Sequence, residues 1–490
     1  MEEKDIQKGI VNKKTVTTNL LWRFLERFGA YIVSFIISII LARILDPSTY
    51  GVVALMTVVI TFLDVFVTGG FANSLIHDKH TTDKDFNTIF IFNIFFSFAL
   101  YLLLFFTAPV IASYYERPIL TGLIRVAGIS LLISGVKNLQ YAFVAKRLEF
   151  KKFFYATIGG TVLSGIIGVI MALKGFGAWA LVVHGVVNHF VDSLILWFVI
   201  QWKPKIEFSF TILKKHFSFG WKILLYKIIY NISNSVRQLV IGKKYSESDL
   251  AFYNRGKTYP NIIGQNITNS VNSVMYPVLA KTQDDTKRFN SILQRTLKID
   301  IFVMLPICVG FFCVAESFIY ILLGAKWLPC VPYIKIFCIV IFLNSIEAIF
   351  SNGPMALGKS TASMVLGIAE CVINIGLLIV AIPFGVMAIG YSMIISSALN
   401  CLIYFIYLKR LSGFNFLKCL IDSFDTFVTT ILMAVPVYAL SNLNMPFYII
   451  FILQIVLGVV LYYFLSKFFK NEALSYCVSL LKSMKRGKKA

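Results

Sequence analysis

The residues best suited to bind a polar ligand lie in an amide-rich stretch, NIIGQNITNSVNSVMYPVL, at positions 261–279. At about 100° per residue, its polar side chains fall on one helix face and its aliphatic side chains on the other. The polar face contains Asn261, Gln265, Thr268, Asn269, Asn272 and Tyr276. Carboxamides both donate and accept hydrogen bonds, each contributing about 1 kcal/mol net. This face suits a hydrated, uncharged chain such as a glycan, although amides also join helices within a membrane bundle.

A second polar stripe precedes this stretch by one predicted helix. Its members are spaced by three or four residues and therefore share a face; they are Lys227, Asn231, Asn234 and Gln238. Arg237 flanks the stripe, and Lys222 lies nearer its start. Lys227 has no acidic neighbour on its own helix, so we expect an anion to approach it, since burial alone disfavours a charged ammonium. That anion is either a ligand or a carboxylate of a packed helix, such as Asp64 or Glu347.

Other cations interrupt apolar segments, where a central charge costs about 2.5–3.5 kcal/mol and therefore usually faces a bundle interior. Arg23 and Arg27 are one turn apart, with Glu26 between them to neutralise one of the two. The planar guanidinium matches a pair of phosphate oxygens, although an arginine near a helix end also reaches the headgroups. The candidate residues for an anionic phosphate group are Arg23, Arg27, Arg125, Lys222, Lys227 and Arg237.

Isolated acids within apolar segments are candidates for ion coupling. Asp64, Glu347 and Glu370 each stand in such a segment, where a carboxylate either carries a proton or sodium ion or serves as a hydrogen-bonded structural group. The scattered cysteines form no metal-site pattern. No GxxxxGK[ST] loop occurs, which argues against ATP hydrolysis. We therefore expect no cofactor, and a coupling to the membrane potential, a proton or sodium.

The composition indicates an integral membrane protein that positions these residues on helices. Of 490 residues, 58% are hydrophobic and 14% charged, with mean hydropathy +0.78. Fourteen apolar segments are long enough to span about 30 Å of hydrocarbon. They lie near 20–43, 51–76, 87–113, 118–142, 153–174, 176–202, 219–242, 258–280, 296–323, 330–357, 361–384, 386–408, 425–441 and 446–466.

The formal charge of +22 follows membrane topology rather than nucleic-acid binding. Most of the 46 Lys and Arg fall in tails and loops that fourteen spans place in the cytoplasm, together with both termini. One loop disagrees, because Lys243, Lys244, Arg255 and Lys257 then lie outside. Charge counting alone slightly favours twelve spans, with the amide-rich helix in the cytosol.

An internal repeat favours fourteen spans. Trp22-Arg23 and Trp221-Lys222 each open an apolar run, about 200 residues apart, and each run ends in a similar turn. Two halves of six spans share their orientation and are related by an axis along the membrane normal. The predicted organisation is a basic tail (1–19), a six-helix bundle (20–202), a cytoplasmic linker (203–218), a second six-helix bundle (219–408), two further helices (409–466) and a second basic tail (467–490).

Several longer motifs resemble the polysaccharide-transport family of Wzx-like lipid-linked oligosaccharide flippases, in the multidrug/oligosaccharidyl-lipid/polysaccharide exporter superfamily. The motifs are LARILDPSTYGVVAL (41–55), FVAKRLEFKKF (143–153), GFGAWALVVHGVV (175–187), LAFYNRGKTYPNII (250–263) and MYPVLAKTQDD (275–285). They are most similar to the branch that handles colanic and teichuronic acids. The resemblance implies an all-α fold of about 14 transmembrane helices: two pseudo-symmetric six-helix bundles around a central cavity, with two additional C-terminal helices.

The resemblance also implies a function. We expect a flippase that moves undecaprenyl-pyrophosphate-linked oligosaccharide from the cytoplasmic to the outer leaflet of a bacterial plasma (inner) membrane, as a monomer, by alternating access. Expected partners are membrane lipid, a polysaccharide polymerase and glycosyltransferases, but not nucleic acid. One alternative is cation-coupled export of small drugs on the same fold. Another is a membrane polysaccharide polymerase, which the short outer loops disfavour.

Overall fold

The computed structural model describes residues 13–78, 80–147, 150–200 and 202–475, and over these ranges it contains helices and no strands. The α-helices are α1 (Lys13–Ile44), α2 (Pro47–Thr68), α3 (Phe71–His77), α4 (Asp83–Tyr114), α5 (Ile119–Arg147), α6 (Phe150–Leu173), α7 (Ala178–Val199), α8 (Phe210–Lys244), α9 (Glu247–Ala280), α10 (Thr286–Leu323), α11 (Val331–Ala356), α12 (Ser360–Ala381), α13 (Val386–Ser412), α14 (Phe416–Asp422), α15 (Phe424–Ala439) and α16 (Phe447–Phe468).

The chain is a multi-pass membrane protein. Eleven helices of the described ranges are long and apolar enough to cross a bilayer. Helices α8 and α9 are continuous over 35 and 34 residues but are not among these eleven, because they contain many polar residues. Each of the fourteen predicted segments overlaps at least one helix of the structure, and fourteen crossings remain a prediction.

One predicted segment, 51–76, is two helices rather than one. Helix α2 ends at Thr68, and the short α3 begins at Phe71 after Gly69 and Gly70. Adjacent glycines weaken a helix because they lack the side chain that restricts the backbone. Here they also allow the chain to approach α8 at Gly220 closely.

The chain divides into two compact units, Met1–Ala251 and Phe252–Ala490. Helix α8 packs against α2, α3 and α4, and it therefore belongs to the first unit by its contacts. Between α7 and α8 the chain is non-helical over 202–209, within the predicted linker 203–218. The predicted division into two pseudo-symmetric bundles remains a prediction.

Polar contacts anchor the start of α8 in the first unit. His216 is buried and lies 2.7 Å from the Ser74 hydroxyl and 3.2 Å from the Asp85 carboxylate. One residue earlier, the Lys215 ammonium donates to Asp78 at 2.5 Å, and this bond lowers the pKa of Asp78 to about 2. Because buried polar groups need partners, His216 fixes the position of α8 against α3 and α4.

The end of α8 is anchored by exposed ion pairs. The Lys243 ammonium lies 2.9 Å from the Glu116 carboxylate and donates to the Tyr114 carbonyl at 2.6 Å. Lys243 lowers the pKa of Glu116 through this bond. Arg117 pairs with Glu247 at the start of α9. Exposed ion pairs contribute little to stability because solvent screens them, so these two pairs align the helix ends rather than stabilise the fold greatly.

In the second unit a large apolar core lies mainly among α10, α11 and α13. Leu297, Ile301, Phe350 and Leu408 are fully buried in it. Inside a membrane such packing stabilises the bundle through dispersion contacts rather than through transfer from water. This core packs together α11 and α13, the helices on which Glu347 and Asn400 lie.

The glycine contact between α3 and α8 gives a stability test. A Cβ at Gly70 would lie 2.5 Å from the Gly220 carbonyl oxygen and 2.9 Å from its Cα. Backbone atoms cannot rotate away, so Gly70→Ala is expected to destabilise the protein by about 1–3 kcal/mol. Thermal unfolding of the purified protein measures this as a lower Tm.

Gly376→Ala on α12 is the matched control. No atom lies within 4 Å of a Cβ at Gly376, so alanine there is expected to raise helix stability by about 0.5–1 kcal/mol. Equal melting temperatures for the two variants would contradict the close α3–α8 contact.

Candidate functional site

A buried ion pair lies at the centre of the first unit. The Lys137 ammonium on α5 is 2.5 Å from the Oδ2 atom of Asp192 on α7. The Tyr141 hydroxyl donates to the same oxygen at 3.3 Å. Asp192 is only 3% exposed, so the lysine and the tyrosine compensate a charge that burial makes expensive.

Asp64 on α2 extends this pair into a longer arrangement. Its carboxylate is within hydrogen-bonding reach of the Ser134 and Thr68 hydroxyls and interacts electrostatically with both Lys137 and Lys227. Helix α2 contacts α5 on one side and α8 on the other. Asp64 therefore lies in the field of two cations that come from different helices.

Lys227 on α8 is the least neutralised of the four charges. Among the described residues, its ammonium reaches only the Thr68 carbonyl oxygen, at 3.5 Å, and it interacts electrostatically with Asp64. The side chain is half-buried. The sequence predicted that either a ligand or a carboxylate of a packed helix supplies the negative charge for Lys227. Asp64 is such a carboxylate, but it does not lie at ion-pairing distance from Lys227.

The other candidate cations differ in their surroundings. Arg125 donates from Nε to the Phe105 carbonyl at 3.2 Å and lies over the Phe105 ring, 4.1 Å from its centroid. Arg237 is 6% exposed and has interaction partners. The Arg23, Arg27 and Lys222 side chains lie outside the described part of the structure. Arg125 is therefore held by the Phe105 carbonyl and ring, whereas Lys227 has only the long contact to the Thr68 carbonyl among the described residues.

The candidate glycan-binding residues on α8 lie at different depths. Asn234 is exposed, and Gln238 is half-buried. Asn231 is half-buried and donates to the Lys227 carbonyl at 3.1 Å within the same helix. The stripe is therefore a partly exposed polar surface that begins at Lys227.

The amide face of α9 contains both exposed and helix-joining residues. Gln265 and Asn269 are exposed, and Asn261 is half-buried. Asn272 accepts a hydrogen bond of 2.8 Å from Asn352 on α11. Asn272 therefore makes the interhelical amide bond that was the alternative explanation for this face, while Gln265 and Asn269 remain exposed.

The candidate coupling acids of the second unit lie close together. Glu347 on α11 and Glu370 on α12 interact electrostatically, and Asn400 on α13 hydrogen-bonds to Glu347. Nearby, Asn374 accepts a 2.6 Å bond from Ser396. Either carboxylate can take up a proton. The carboxylate, amide and hydroxyl oxygens together are the kind of ligands that small hard cations prefer.

An apolar groove of about 650 Å³ lies elsewhere in the second unit. Side chains of α9, α10, α15 and α16 line it, among them Ile263, Phe311, Val437 and Val459. Gly310 also lines the groove and leaves its wall open. The groove has the chemistry of a hydrocarbon site, because polar groups are few along it.

Sequence reasoning missed several of these partners. The sequence patterns predicted neither the pairing of Lys137 with Asp192 nor the buried Asp300, which accepts a 2.7 Å bond from Ser345. A lysine and an aspartate in apolar segments were a usable signal. Their pairing was not visible, because the two residues belong to non-adjacent segments.

A comparison with protein families identifies the chain. The family described as "Polysaccharide biosynthesis protein" matches residues 40–332, more than half of the sequence. The chain belongs to this family. Its membership bears out the resemblance that the motifs of the sequence indicate.

Several bacterial proteins are similar to the chain over more than half of its length. The succinoglycan biosynthesis transport protein ExoT of Rhizobium meliloti (strain 1021) is 25% identical over 453 residues, 87% of each chain. The teichuronic acid biosynthesis protein TuaB of Bacillus subtilis (strain 168) is 26% identical and covers 62% of this chain and 63% of its own. The lipopolysaccharide biosynthesis protein WzxC of Escherichia coli (strain K12) is 20% identical over 82% of each chain.

Solved transporter structures share the fold of this family member. The lipid II flippase MurJ, in its inward closed conformation, matches with a TM-score of 0.74 at 16% identity, over 93% of this chain and 100% of its own. An inward-facing multidrug resistance transporter of the MATE family matches with a TM-score of 0.62 at 15% identity, over 78% of this chain and 94% of its own.

The amide contacts of α9 separate structural from ligand-binding roles. Asn272→Ala removes one partner of the bond to Asn352, and we expect a loss of roughly 0.6–1.7 kcal/mol, the range of such bonds in membranes. Gln265→Ala and Asn269→Ala remove exposed amides, and we expect changes within about 0.5 kcal/mol. Thermal unfolding in lipid nanodiscs measures all three.

The double variant Asn272→Ala/Asn352→Ala completes the cycle. If Asn272 and Asn352 bond as the structure has them, the double variant loses less stability than the two single losses added. Strict additivity would contradict the bond, and a large loss for Gln265→Ala would place that amide inside the bundle.

Proposed function

We propose that this protein is a flippase that carries an undecaprenyl-pyrophosphate-linked oligosaccharide from the cytoplasmic to the outer leaflet, for cell-surface polysaccharide biosynthesis. Its family and its relatives named for succinoglycan transport and teichuronic acid biosynthesis support this assignment. The fold shared with a lipid II flippase supports a lipid-linked substrate. The protein acts as a transporter rather than as an enzyme.

The observation that carries the proposal is the environment of Lys227. Within the described part of the chain, this half-buried ammonium reaches only a carbonyl at 3.5 Å and is incompletely compensated, so that a phosphate oxygen of a substrate supplies the missing negative charge. Arg23, Arg27, Arg125, Lys222 and Arg237 remain candidates for the same pyrophosphate group. A neutral substrate would leave the charge of this half-buried ammonium uncompensated.

The amides of α8 and α9 bind the sugar part of this substrate through hydrogen bonds. Exposed Asn234, Gln265 and Asn269 exchange hydrogen bonds with water or hydroxyl groups at a small net free energy, so a glycan is held without a deep trap. Asn231, Gln238 and Asn261 are half-buried and continue these two surfaces. Asn272 serves mainly to hold α9 against α11.

The apolar groove accommodates the lipid part of this substrate. The polyprenyl chain need not leave a hydrocarbon environment while its headgroup crosses, and the groove among α9, α10, α15 and α16 offers such a surface within the second unit.

The energy source follows from the substrate charge. In a cell with a negative interior, outward movement of an anion is favoured by about 2.3 kcal/mol per charge per 100 mV. A proton or sodium ion is a further driving ion, with Glu347 and Glu370 as its site in the second unit and Asp64 as a second candidate.

The location and partners follow from the same function. We propose the bacterial plasma membrane, with both termini in the cytoplasm, as the positive-inside pattern of the sequence indicates. A polysaccharide polymerase on the outer side and glycosyltransferases on the inner side are the expected partners of a monomeric flippase.

A second candidate function is cation-coupled export of small molecules. The likeness to an inward-facing multidrug resistance transporter favours it. That likeness covers 78% of this chain, whereas the likeness to the lipid II flippase covers 93%. The transport assay below separates the two functions.

Lys227 is the residue to test. In cells whose own flippase has been deleted, Lys227→Gln is expected to lower the amount of lipid-linked repeat unit that reaches the outer leaflet by about tenfold or more. A bond between a charged group and its partner contributes about 1.5–3 kcal/mol, and 1.4 kcal/mol is a factor of ten. Lys227→Arg retains the cation and is expected to retain transport.

Lys335→Gln in the second unit is the control, because Lys335 has local partners of its own, the Phe312 and Tyr438 rings over which it lies. The proposal fails if the wild-type protein does not restore outer-leaflet repeat units. If repeat units cross normally but are not polymerised, the protein is a polymerase instead.

The groove gives an independent test. Gly310 lines it, and a Cβ there meets no atom within 4 Å, so Gly310→Phe fills the groove without displacing neighbours. We expect binding of undecaprenyl phosphate to purified protein to weaken about fivefold or more, since several apolar contacts are lost.

Gly376→Phe is the matched control, at an equally open helical glycine that does not line the groove. It is expected to bind undecaprenyl phosphate as the wild type does. Equal binding by both variants would place the lipid chain elsewhere.

A further inference from the structure

Four charged side chains of the first unit alternate in sign across four helices. Asp192 of α7 pairs with Lys137 of α5, Asp64 of α2 interacts with Lys137, and Lys227 of α8 interacts with Asp64. The helices that carry them pack in the same order, α7 on α5, α5 on α2 and α2 on α8. We call this arrangement the charge line.

The two ends of the charge line differ. At one end, the Oδ1 atom of Asp192 is buried and has no hydrogen-bond partner among the described residues, while Oδ2 accepts from Lys137 and Tyr141. At the other end, Lys227 is half-buried and, among the described residues, reaches only the Thr68 carbonyl. One end of the charge line therefore has unused acceptor capacity in a buried site, and the other end has a cation that the described residues compensate only partly.

We propose that the charge line links the binding of an anionic phosphate group at Lys227 to the uptake of a proton at Asp192. The inference rests on the proposed function, which supplies the phosphate, and it adds a proton-binding site and the coupled ion. The site is distinct from the Glu347–Glu370 pair, which belongs to the second unit.

The linkage is electrostatic. An anion at Lys227 satisfies that ammonium and weakens its attraction for Asp64. Asp64 then attracts the Lys137 ammonium more strongly, and Lys137 moves from Asp192 towards Asp64. Asp192 is left in a 3% exposed site without its cation, where the neutral carboxyl is favoured over the carboxylate.

The proton comes from water and binds one carboxylate oxygen of Asp192, forming one O–H bond. Release of the anion reverses the sequence, because Lys137 returns to Asp192 and displaces the proton. No bond of the substrate is made or broken. By linkage, proton binding tightens anion binding by the same factor, so affinity rises as pH falls.

Other groups near Asp192 define the alternatives. Helix α5 contributes Lys137 and Tyr141, and α7 itself contributes His189, whose Nδ1 atom is buried without a hydrogen-bond partner among the described residues. The Thr157 hydroxyl of α6 lies 3.5 Å from the Tyr141 hydroxyl. His189 and Asp64 are the competing proton acceptors, and uptake that persists in Asp192→Asn would indicate one of them.

Calorimetric titration of the full-length protein in lipid nanodiscs tests the linkage. The probe is undecaprenyl-diphosphate-glucose, whose diester phosphates stay ionised near neutral pH and take up no proton themselves. Titrations in two buffers of different ionisation enthalpy give the number of protons taken up. We expect about one proton per probe bound by the wild type and none by Asp192→Asn.

Further variants locate the path. Asp64→Asn interrupts the line, so it is expected to bind the probe with proton uptake greatly reduced. Lys137→Arg retains the cation and is expected to retain uptake, as is His189→Gln. Asp300→Asn, a buried acid of the second unit bonded to Ser345, is the control and is expected to match the wild type.

The possible results are distinct. Probe binding without proton uptake by the wild type overturns the linkage and leaves the proposed function intact. Uptake that persists in Asp192→Asn, or that disappears in His189→Gln, overturns the assignment to Asp192. If Asp192→Asn does not fold, unchanged uptake by Asp64→Asn overturns the path. A folded wild type that binds no probe overturns the proposed function itself.

Discussion

The constraint on which the first unit depends is that buried charge must be compensated. Asp192 is almost fully buried, and removal of its partner would leave a carboxylate whose desolvation no other charge offsets. Lys137 meets this requirement directly, whereas Asp64 meets it for Lys227 only at a distance. The resulting imbalance leaves Lys227 the less compensated of the two lysines among the described residues.

Helix α8 connects this charge arrangement to the rest of the first unit. Its start is fixed by His216, its middle carries Lys227, and its end is aligned by Lys243. The sequence repeat assigns this helix to the second half, yet its contacts place it in the first unit. Side chains decide the packing, whereas a repeat reports only the order in which helices follow one another.

The second unit separates two chemistries that a lipid-linked sugar combines. Its apolar groove offers a surface for hydrocarbon, whereas Gln265 and Asn269 offer exposed amides on α9. Polar and apolar ligand parts rarely share one surface, because each would desolvate the other without compensation. The lipid-linked substrate that we propose has both parts, as the second unit has both features.

The sequence by itself determined the membrane class, the helical segments, the amide face of α9 and the stripe that begins at Lys227, because hydropathy and helical periodicity are local properties. Only the tertiary structure decided that Lys137 pairs with Asp192, that Asn272 bonds to Asn352, and that Gly70 meets Gly220. These contacts join residues far apart in the chain. Helix packing, which no single segment encodes, selects them.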